Sequence, residues 1–95
     1  MQIISRRRLL KAAQRHGDGL GTALDVWYRI AYRASWKSLA DVRQVFPSAD
    51  GVGKYTVFNI KGNSYRLITV IFYPKTLFIR EVLTHTEYDK GSWNK

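Results

Sequence analysis

The spacing of the apolar residues changes near residue 55, and this change limits the folds open to the chain. Between Leu20 and Ala34 apolar residues recur every three or four positions, the period of a helix with one buried face. From Tyr55 to Leu83 they form short runs rich in β-branched and aromatic residues, separated by turn residues. The pattern predicts an α+β domain in which helices come first, an antiparallel meander follows and a short helix ends the chain.

Local signals place the individual elements. Ile3-Ile4 is predicted as an edge strand, and Ser5 as the N-cap of a helix that runs to Arg15 and ends at Gly17. The other predicted elements are a helix over 20–34, a helix over 39–46 capped by Ser38, a loop over 48–54, strands over 55–60, 64–73 and 76–83, and a helix over 84–90 with Thr84 and Glu87 as a capping box. We expect residues 91–95 to fray, and one domain to span residues 1–95.

Composition excludes several classes of protein. Ninety-five residues, 14% of them aromatic, can form one packed core, so disorder is not expected despite a net charge of +9. The absence of Cys excludes disulfides, thiolate metal ligands and a thiol nucleophile. His16, expected to be exposed at a helix end, lies far from His85 in sequence, so we expect no zinc site and no cofactor. No apolar run suits a signal peptide or a membrane span, which predicts a soluble cytoplasmic protein.

The positive charge is concentrated in two parts of the chain. Residues 1–16 carry five basic residues and no acidic one, residues 17–50 carry four of each, and residues 51–95 carry seven basic and three acidic residues. This distribution favours a folded protein with positive surfaces for RNA or DNA over a basic tail. For Arg6-Arg7-Arg8 alone, a solvated helix start is the alternative.

Two arginines lie on predicted strands among apolar residues. Arg66 shares a strand face with Ile68, and Arg80 shares one with Phe78 and Val82. A guanidinium on such a face needs either an ion pair or an open concave surface. The candidate ion-pair partners are Glu81, Glu87 and Asp89. The functional alternative is a phosphate clamp, because guanidinium matches phosphate in bidentate geometry.

Candidates for proton transfer follow directly downstream. His85 and Tyr88 are three residues apart in the predicted last helix, so they lie near one face and both can exchange protons, although a lone His is often structural. Lys54 and Lys61 flank the first meander strand and could contact a backbone phosphate. One reaction suits a site built from Arg, Lys, His and Tyr without a metal. It is RNA cleavage by attack of the 2′-hydroxyl on the neighbouring phosphate, in which the nucleophile belongs to the substrate.

Two segments carry a specific combination of these residues. In 57–67, Phe58-Asn59 and Gly62-Asn63 precede Arg66, and in 78–89, Arg80 precedes Thr84-His85 and Glu87-Tyr88-Asp89. Together they resemble the HigB toxins, bacterial type II toxins of the RelE-like group. Further matching segments, which extend the resemblance over nearly the whole chain, are Ile3-Ile4-Ser5, Trp36-Lys37 and Phe46-Pro47-Ser48.

The resemblance implies a compact RelE-like fold and mRNA cleavage, usually in the ribosomal A site, which inhibits translation. By analogy, Arg66 and Arg80 hold and polarise the scissile phosphate, while His85 and Tyr88 transfer protons. The candidate RNA contacts are Lys54, Lys61, Asn63 and, on a first helix expected to face ribosomal RNA, Arg6, Arg7, Arg8 and Lys11. The implied protein partner is a HigA-type helix-turn-helix antitoxin, through which the toxin reaches DNA only indirectly.

Two other function classes remain as alternatives. A non-catalytic RNA- or ribosome-binding module would dock through the same basic surfaces and arrest translation without new mRNA 5′ ends. A DNA-binding regulator would need a recognition helix, whose pattern is absent from the sequence. Trp36, Trp93 and the first two helices are candidates for the antitoxin surface. Core packing is equally expected for Trp36 and is the favoured role of Trp27.

Overall fold

A mixed sheet organises the computed structural model, which describes residues 1–94. The strands are β1 (Gln2–Ile4), β2 (Asp50–Val52), β3 (Tyr55–Ile60), β4 (Tyr65–Phe72) and β5 (Thr76–Thr84). The helices are α1 (Arg7–His16), α2 (Asp18–Arg33), α3 (Leu39–Val45) and α4 (His85–Asp89), followed by a 3₁₀ turn at Ser92–Asn94. Within residues 1–94 the strand order is β1-β5-β4-β3-β2, which confirms the predicted α+β class.

The sheet differs from the predicted antiparallel one at one edge. β2 to β5 pair antiparallel, but β1 runs parallel to β5, with Gln2 opposite Thr76 and Ile4 opposite Phe78. After β1 the chain passes through three helices and enters the sheet again at the far edge. This long connection permits parallel pairing, which a short hairpin does not.

Helices cover one face of the sheet and form the main core with it. The apolar period of α2 buries Leu24 and Trp27, and the Trp27 ring meets Phe58 of β3 edge to face, with centroids 5.3 Å apart. Trp27 therefore lies in the core, as predicted. Trp36 is only 4% exposed and packs against both Phe46 and Phe58, so of the two roles expected for it the structure shows the one in the core.

The opposite face of the sheet is covered at one end. There α4 and the 3₁₀ turn place Tyr88 and Trp93 over a second apolar cluster of Tyr55, Val57 and Ile68. The central strand β4 is therefore covered by helices on one face, as predicted, and half-open on the other. We call this second side the open face, and the candidate site lies on it.

Local capping signals succeed at two helices and fail at one. Ser38 accepts a hydrogen bond from the backbone N–H of Asp41 at 3.3 Å, and Thr84 forms the predicted capping box with Glu87. The predicted Ser5 cap is wrong: Ser5 has a φ of +69°, α1 begins at Arg7, and no side chain among residues 1–94 caps it. Ser5 joins β1 to α1, and the sharp turn there takes precedence over the cap.

Three further expectations are corrected. The predicted loop over 48–54 contains β2, since backbone pairing with β3 outweighs the low strand propensity of Asp and Gly. The tail is ordered at Trp93, whose indole N–H donates to the carbonyl of Tyr88 at 3.0 Å; Lys95 lies outside the described residues.

His16 is half-buried rather than exposed, because its ring packs edge-on against Tyr65 at 5.2 Å.

No helix within residues 1–94 combines the length and the apolar character that crossing a bilayer requires.

Candidate active site

Arg66 of β4 is buried on the open face and is held by neutral acceptors. The residue is 8% exposed, and Nη1 donates to the carbonyls of Asn63 and Tyr65, both at 3.2 Å. Nη2 donates to Oδ1 of Asn63 at 2.9 Å. The β3–β4 turn, in which Lys61 and Gly62 both have positive φ, brings Asn63 back over the guanidinium. Within residues 1–94 no carboxylate lies within 4.0 Å of Arg66, so the ion-pair alternative is not observed for it.

His85 links Arg66 to a carboxylate. Its Nδ1 lies 3.0 Å from Nη2 of Arg66 and, because a guanidinium only donates, Nδ1 must be the unprotonated acceptor. The proton of the neutral ring then lies on Nε2, which donates to Oδ2 of Asp89 at 3.1 Å. This pairing fixes one tautomer of His85.

Tyr88 lies beside the same guanidinium. The carbon Cζ of Arg66 is 5.5 Å from the ring centre of Tyr88, within cation–π range. Burial raises the pKa of the Tyr88 hydroxyl, the carboxylate of Asp50 raises that pKa further, and the charge of Arg66 opposes them. Tyr88 is therefore protonated at neutral pH and is suited to donate a hydrogen bond or a proton.

Trp93 fixes the position of Tyr88. The two rings stack with centroids 5.0 Å apart and an interplanar angle of 18°, and Trp93 also meets Tyr55 edge to face at 5.5 Å. Sequence reasoning did not connect Trp93 with the site, because its position depends on how the tail folds back. Asp89 was expected only as an ion-pair partner of an arginine. Its pairing with His85 carried a detectable signal, since it lies four residues after His85 on one helix.

Arg80 occupies a different environment from Arg66. Ile68 pairs with Glu81 whereas Thr69 pairs with Ile79, which makes Arg80 the extra residue of a β-bulge in β5. The extra residue changes the alternation, so Val82 packs toward the helices and the prediction that it shares a face with Arg80 is wrong. Arg80 is exposed, and no carboxylate among residues 1–94 lies within 4.0 Å of it.

The bulge places Arg80 beside the basic first helix. Nη1 of Arg8 donates to the carbonyl of Arg80 at 2.6 Å. The cleft between α1 and β5 has a volume of about 270 Å³ and is lined by the charged side chains of Arg8, Lys11, Arg15, Arg80, Glu81 and Glu87. Arg66 faces Leu83, three residues from Arg80, so the two arginines lie roughly 10 Å apart along the strands.

The other predicted RNA contacts are spread over several surfaces. Lys54 lies at the open face, with Nζ 5.3 Å from the ring centre of Tyr55. Lys61 points toward the start of α2, where a Cβ on Gly19 would lie 2.7 Å from its Nζ. Asn63 holds Arg66, as described above. The predicted contacts on the first helix line one exposed cleft together with Ser5: Arg6, Arg7, Arg8 and Lys11.

The site thus unites three of the four predicted catalytic side chains, Arg66, His85 and Tyr88, and leaves Arg80 in the neighbouring cleft. A bound phosphate would meet a fixed guanidinium, a neutral imidazole and a protonated phenol within this cluster. Across residues 1–94, no group of three His, Asp or Glu side chains is placed to hold a metal ion.

Comparison with known proteins connects this geometry to one family. The model of the HigB toxins, described as the RelE-like toxic component of a toxin-antitoxin system, matches residues 21–91. The chain is 32% identical over 93 residues to the mRNA interferase toxin HigB of Escherichia coli K12, an alignment that covers 94% of this chain and 88% of that protein. The mRNA interferase HigB of Shigella flexneri matches with the same identity and coverage. That of Escherichia coli O6:H1 is 32% identical over 95 residues, covering 95% of this chain and 90% of its own.

Proposed function

Since the chain belongs to the HigB family of RelE-like toxins, we propose that it acts as a toxin by cleaving mRNA at the cluster of Arg66, His85 and Tyr88. The observation that carries the proposal is the state of Arg66. Its buried positive charge is held by neutral acceptors and one imidazole, without a neutralising carboxylate within residues 1–94. A buried cation in this state is prepared for an anion that arrives with the substrate.

The reaction needs a proton acceptor, a charge stabiliser and a proton donor. A phosphate oxygen that takes Nη2 of Arg66 releases Nδ1 of His85, whose lone pair then accepts the proton of the 2′-hydroxyl. The 2′-oxygen forms a bond to phosphorus as the bond to the 5′-oxygen breaks, and Arg66 stabilises the charge on the phosphoryl oxygens. Tyr88 gives its proton to the leaving 5′-oxygen. Afterwards His85 releases its extra proton to solvent and Tyr88 regains one from solvent. The products are a 2′,3′-cyclic phosphate and a 5′-hydroxyl end.

Arg80 has a supporting role in this proposal. Roughly 10 Å from Arg66 along the strands, it binds a flanking phosphate together with Arg8. In this proposal the basic residues of α1 contact ribosomal RNA, and cleavage takes place on translating ribosomes in the cytoplasm, in the A site. In this proposal a HigA-type helix-turn-helix antitoxin binds the toxin and inhibits it. The toxin contacts DNA only through that antitoxin.

Mapping of mRNA 5′ ends after brief induction of the protein tests the proposal. Wild type is expected to create new 5′-hydroxyl ends, whereas Arg66→Ala and His85→Asn remain folded and create none. Arg33→Ala, an exposed arginine on α2 away from the open face, is the matched control and should cleave like wild type. Translation arrest without new ends would instead identify a non-catalytic ribosome-binding module.

A further inference from the structure

Two phenylalanines remain exposed at the uncovered end of the open face. Phe72 of β4 is 58% exposed and Phe78 of β5 is 39% exposed. Their rings meet edge to face, with centroids 5.5 Å apart. An exposed aromatic pair on a sheet surface differs from a single surface apolar residue, because the edge-to-face contact fixes the rings in position while they stay open to solvent.

The surroundings of this pair are basic. Phe72 and Phe78 line a cleft of about 390 Å³ that also contains Lys54, Arg8 and Arg80. Of the residues that the structure describes, those lining the cleft include neither Asp nor Glu. Aromatic rings surrounded by positive charges suit a ligand that carries both a negatively charged backbone and flat rings. Single-stranded nucleic acid is such a ligand.

The cleft is continuous with the candidate active site along β4. Arg66 and Phe72 point to the same side of this strand, and their six-residue separation corresponds to about 20 Å. Arg80 lies between the two regions and lines the Phe72 cleft as well as the cleft beside α1. An RNA strand with its scissile phosphate at Arg66 would therefore cross Arg80 and reach the two phenylalanines.

We propose that Phe72 and Phe78 form a stacking platform for nucleobases of single-stranded mRNA that flank the cleavage position. The proposal rests on the function proposed above. Every base has a π face, so the platform adds affinity and fixes the position of the strand without selecting a base. The positive charges around the cleft disfavour an antitoxin segment as the occupant, except for an acidic one. Comparing RNA binding with antitoxin binding distinguishes the two occupants.

Binding of uncleavable RNA tests the platform with the complete protein. The probe is a single-stranded 2′-O-methyl oligonucleotide, which lacks the attacking hydroxyl. Phe72→Leu keeps an apolar side chain but loses the ring, and is expected to raise Kd roughly tenfold, whereas Phe72→Trp restores binding. The salt dependence of binding should not change, since no phosphate contact is removed. Tyr32→Leu, a 59% exposed aromatic residue on α2, is the matched control and should bind like wild type.

An abasic probe separates stacking from general apolar contact. When the base that faces Phe72 is removed from the oligonucleotide, wild type should lose about tenfold in affinity and Phe72→Leu should lose nothing further. Equal RNA binding by wild type and Phe72→Leu would overturn the platform, as would a loss confined to antitoxin binding. If binding depends on Phe72 but wild type never cleaves mRNA, the platform stands and the proposed function fails.

Discussion

Arg66 and Arg80 are the same type of residue on adjacent strands, yet the fold holds them differently. Arg66 is buried, and neutral acceptors from the β3–β4 turn and from α4 fix its guanidinium. Arg80 is exposed at a bulge, where its backbone carbonyl accepts a hydrogen bond from Arg8.

The difference separates two uses of positive charge. At Arg66 the orientation of each N–H group is defined before substrate arrives, which is what stabilisation of a transition state requires. At Arg80 and on α1 the charges contribute a local potential that attracts a polyanion from many directions. Substitutions that keep the charge but change the geometry should therefore act very differently at the two positions.

The largest effect is expected for Arg66→Lys. A single ammonium cannot replace the planar group that contacts Asn63, His85 and a phosphate together, so kcat should fall about 100- to 1,000-fold with little change in KM. Single-turnover cleavage of mRNA on programmed ribosomes measures this. Thermal melting must show that the variant is folded. Retention of activity within tenfold would mean that charge alone suffices at this position.

A smaller effect is expected at Arg80. Arg80→Ala should weaken RNA binding about tenfold. It should also make the slope of log K for association against log salt concentration less negative by about 0.7, the value for one phosphate contact on a single strand. Arg80→Lys should stay within about twofold of wild type, because an exposed charge on a flexible side chain does the same work. Fluorescence titrations at several salt concentrations provide the measurement. A fall in kcat for Arg80→Lys as large as that for Arg66→Lys would contradict the distinction.

The smallest effect is expected for Glu87→Gln, which tests how α4 holds His85 beside Arg66. The backbone N–H of Thr84 donates to the Glu87 carboxylate and lowers its pKa below the usual 4.5, and the charge of Arg15 lowers it further. A lowered pKa stabilises the folded state above the unfolded value, and this stability is lost as the pH falls through the folded value. The melting temperature of wild type should therefore fall more steeply below about pH 4.5 than that of Glu87→Gln.

At neutral pH Glu87→Gln should cleave RNA within about twofold of wild type, since Gln also accepts the capping hydrogen bond. Identical acid melting profiles for the two proteins would show that the Glu87 charge does not stabilise this helix.

Local patterns are sufficient for most of the fold. Residues 55–60 match β3, the period of residues 20–34 matches α2, and the Thr84–Glu87 box starts α4, because each depends on neighbours in sequence. The bulge at Arg80 and the strand at Asp50 depend instead on pairing partners elsewhere in the chain. These long-range pairings explain why the predicted face of Val82 was wrong and why β2 was missed.

The candidate site was predictable in its residue types but not in its connections. From the sequence, Arg66 could be identified as a candidate for phosphate binding, and His85 and Tyr88 as candidates for proton transfer. Their arrangement around one guanidinium needs both a tight turn at 61–63 and a helix that returns over β4. The role of Asn63 as the acceptor that orients Arg66 follows from that turn and not from a sequence motif.

The parallel pairing of β1 with β5 has a consequence for synthesis. Gln2 is made early, but its partner Thr76 is added 74 residues later, and His85 after that. At about 5–20 residues per second, β1 waits roughly 4 to 15 s for the strand that completes its edge of the sheet. A nascent chain thus lacks the β1–β5 pairing and the Arg66–His85 contact until His85 has been added. The cluster of Arg66, His85 and Tyr88 can therefore assemble only after synthesis has passed Tyr88.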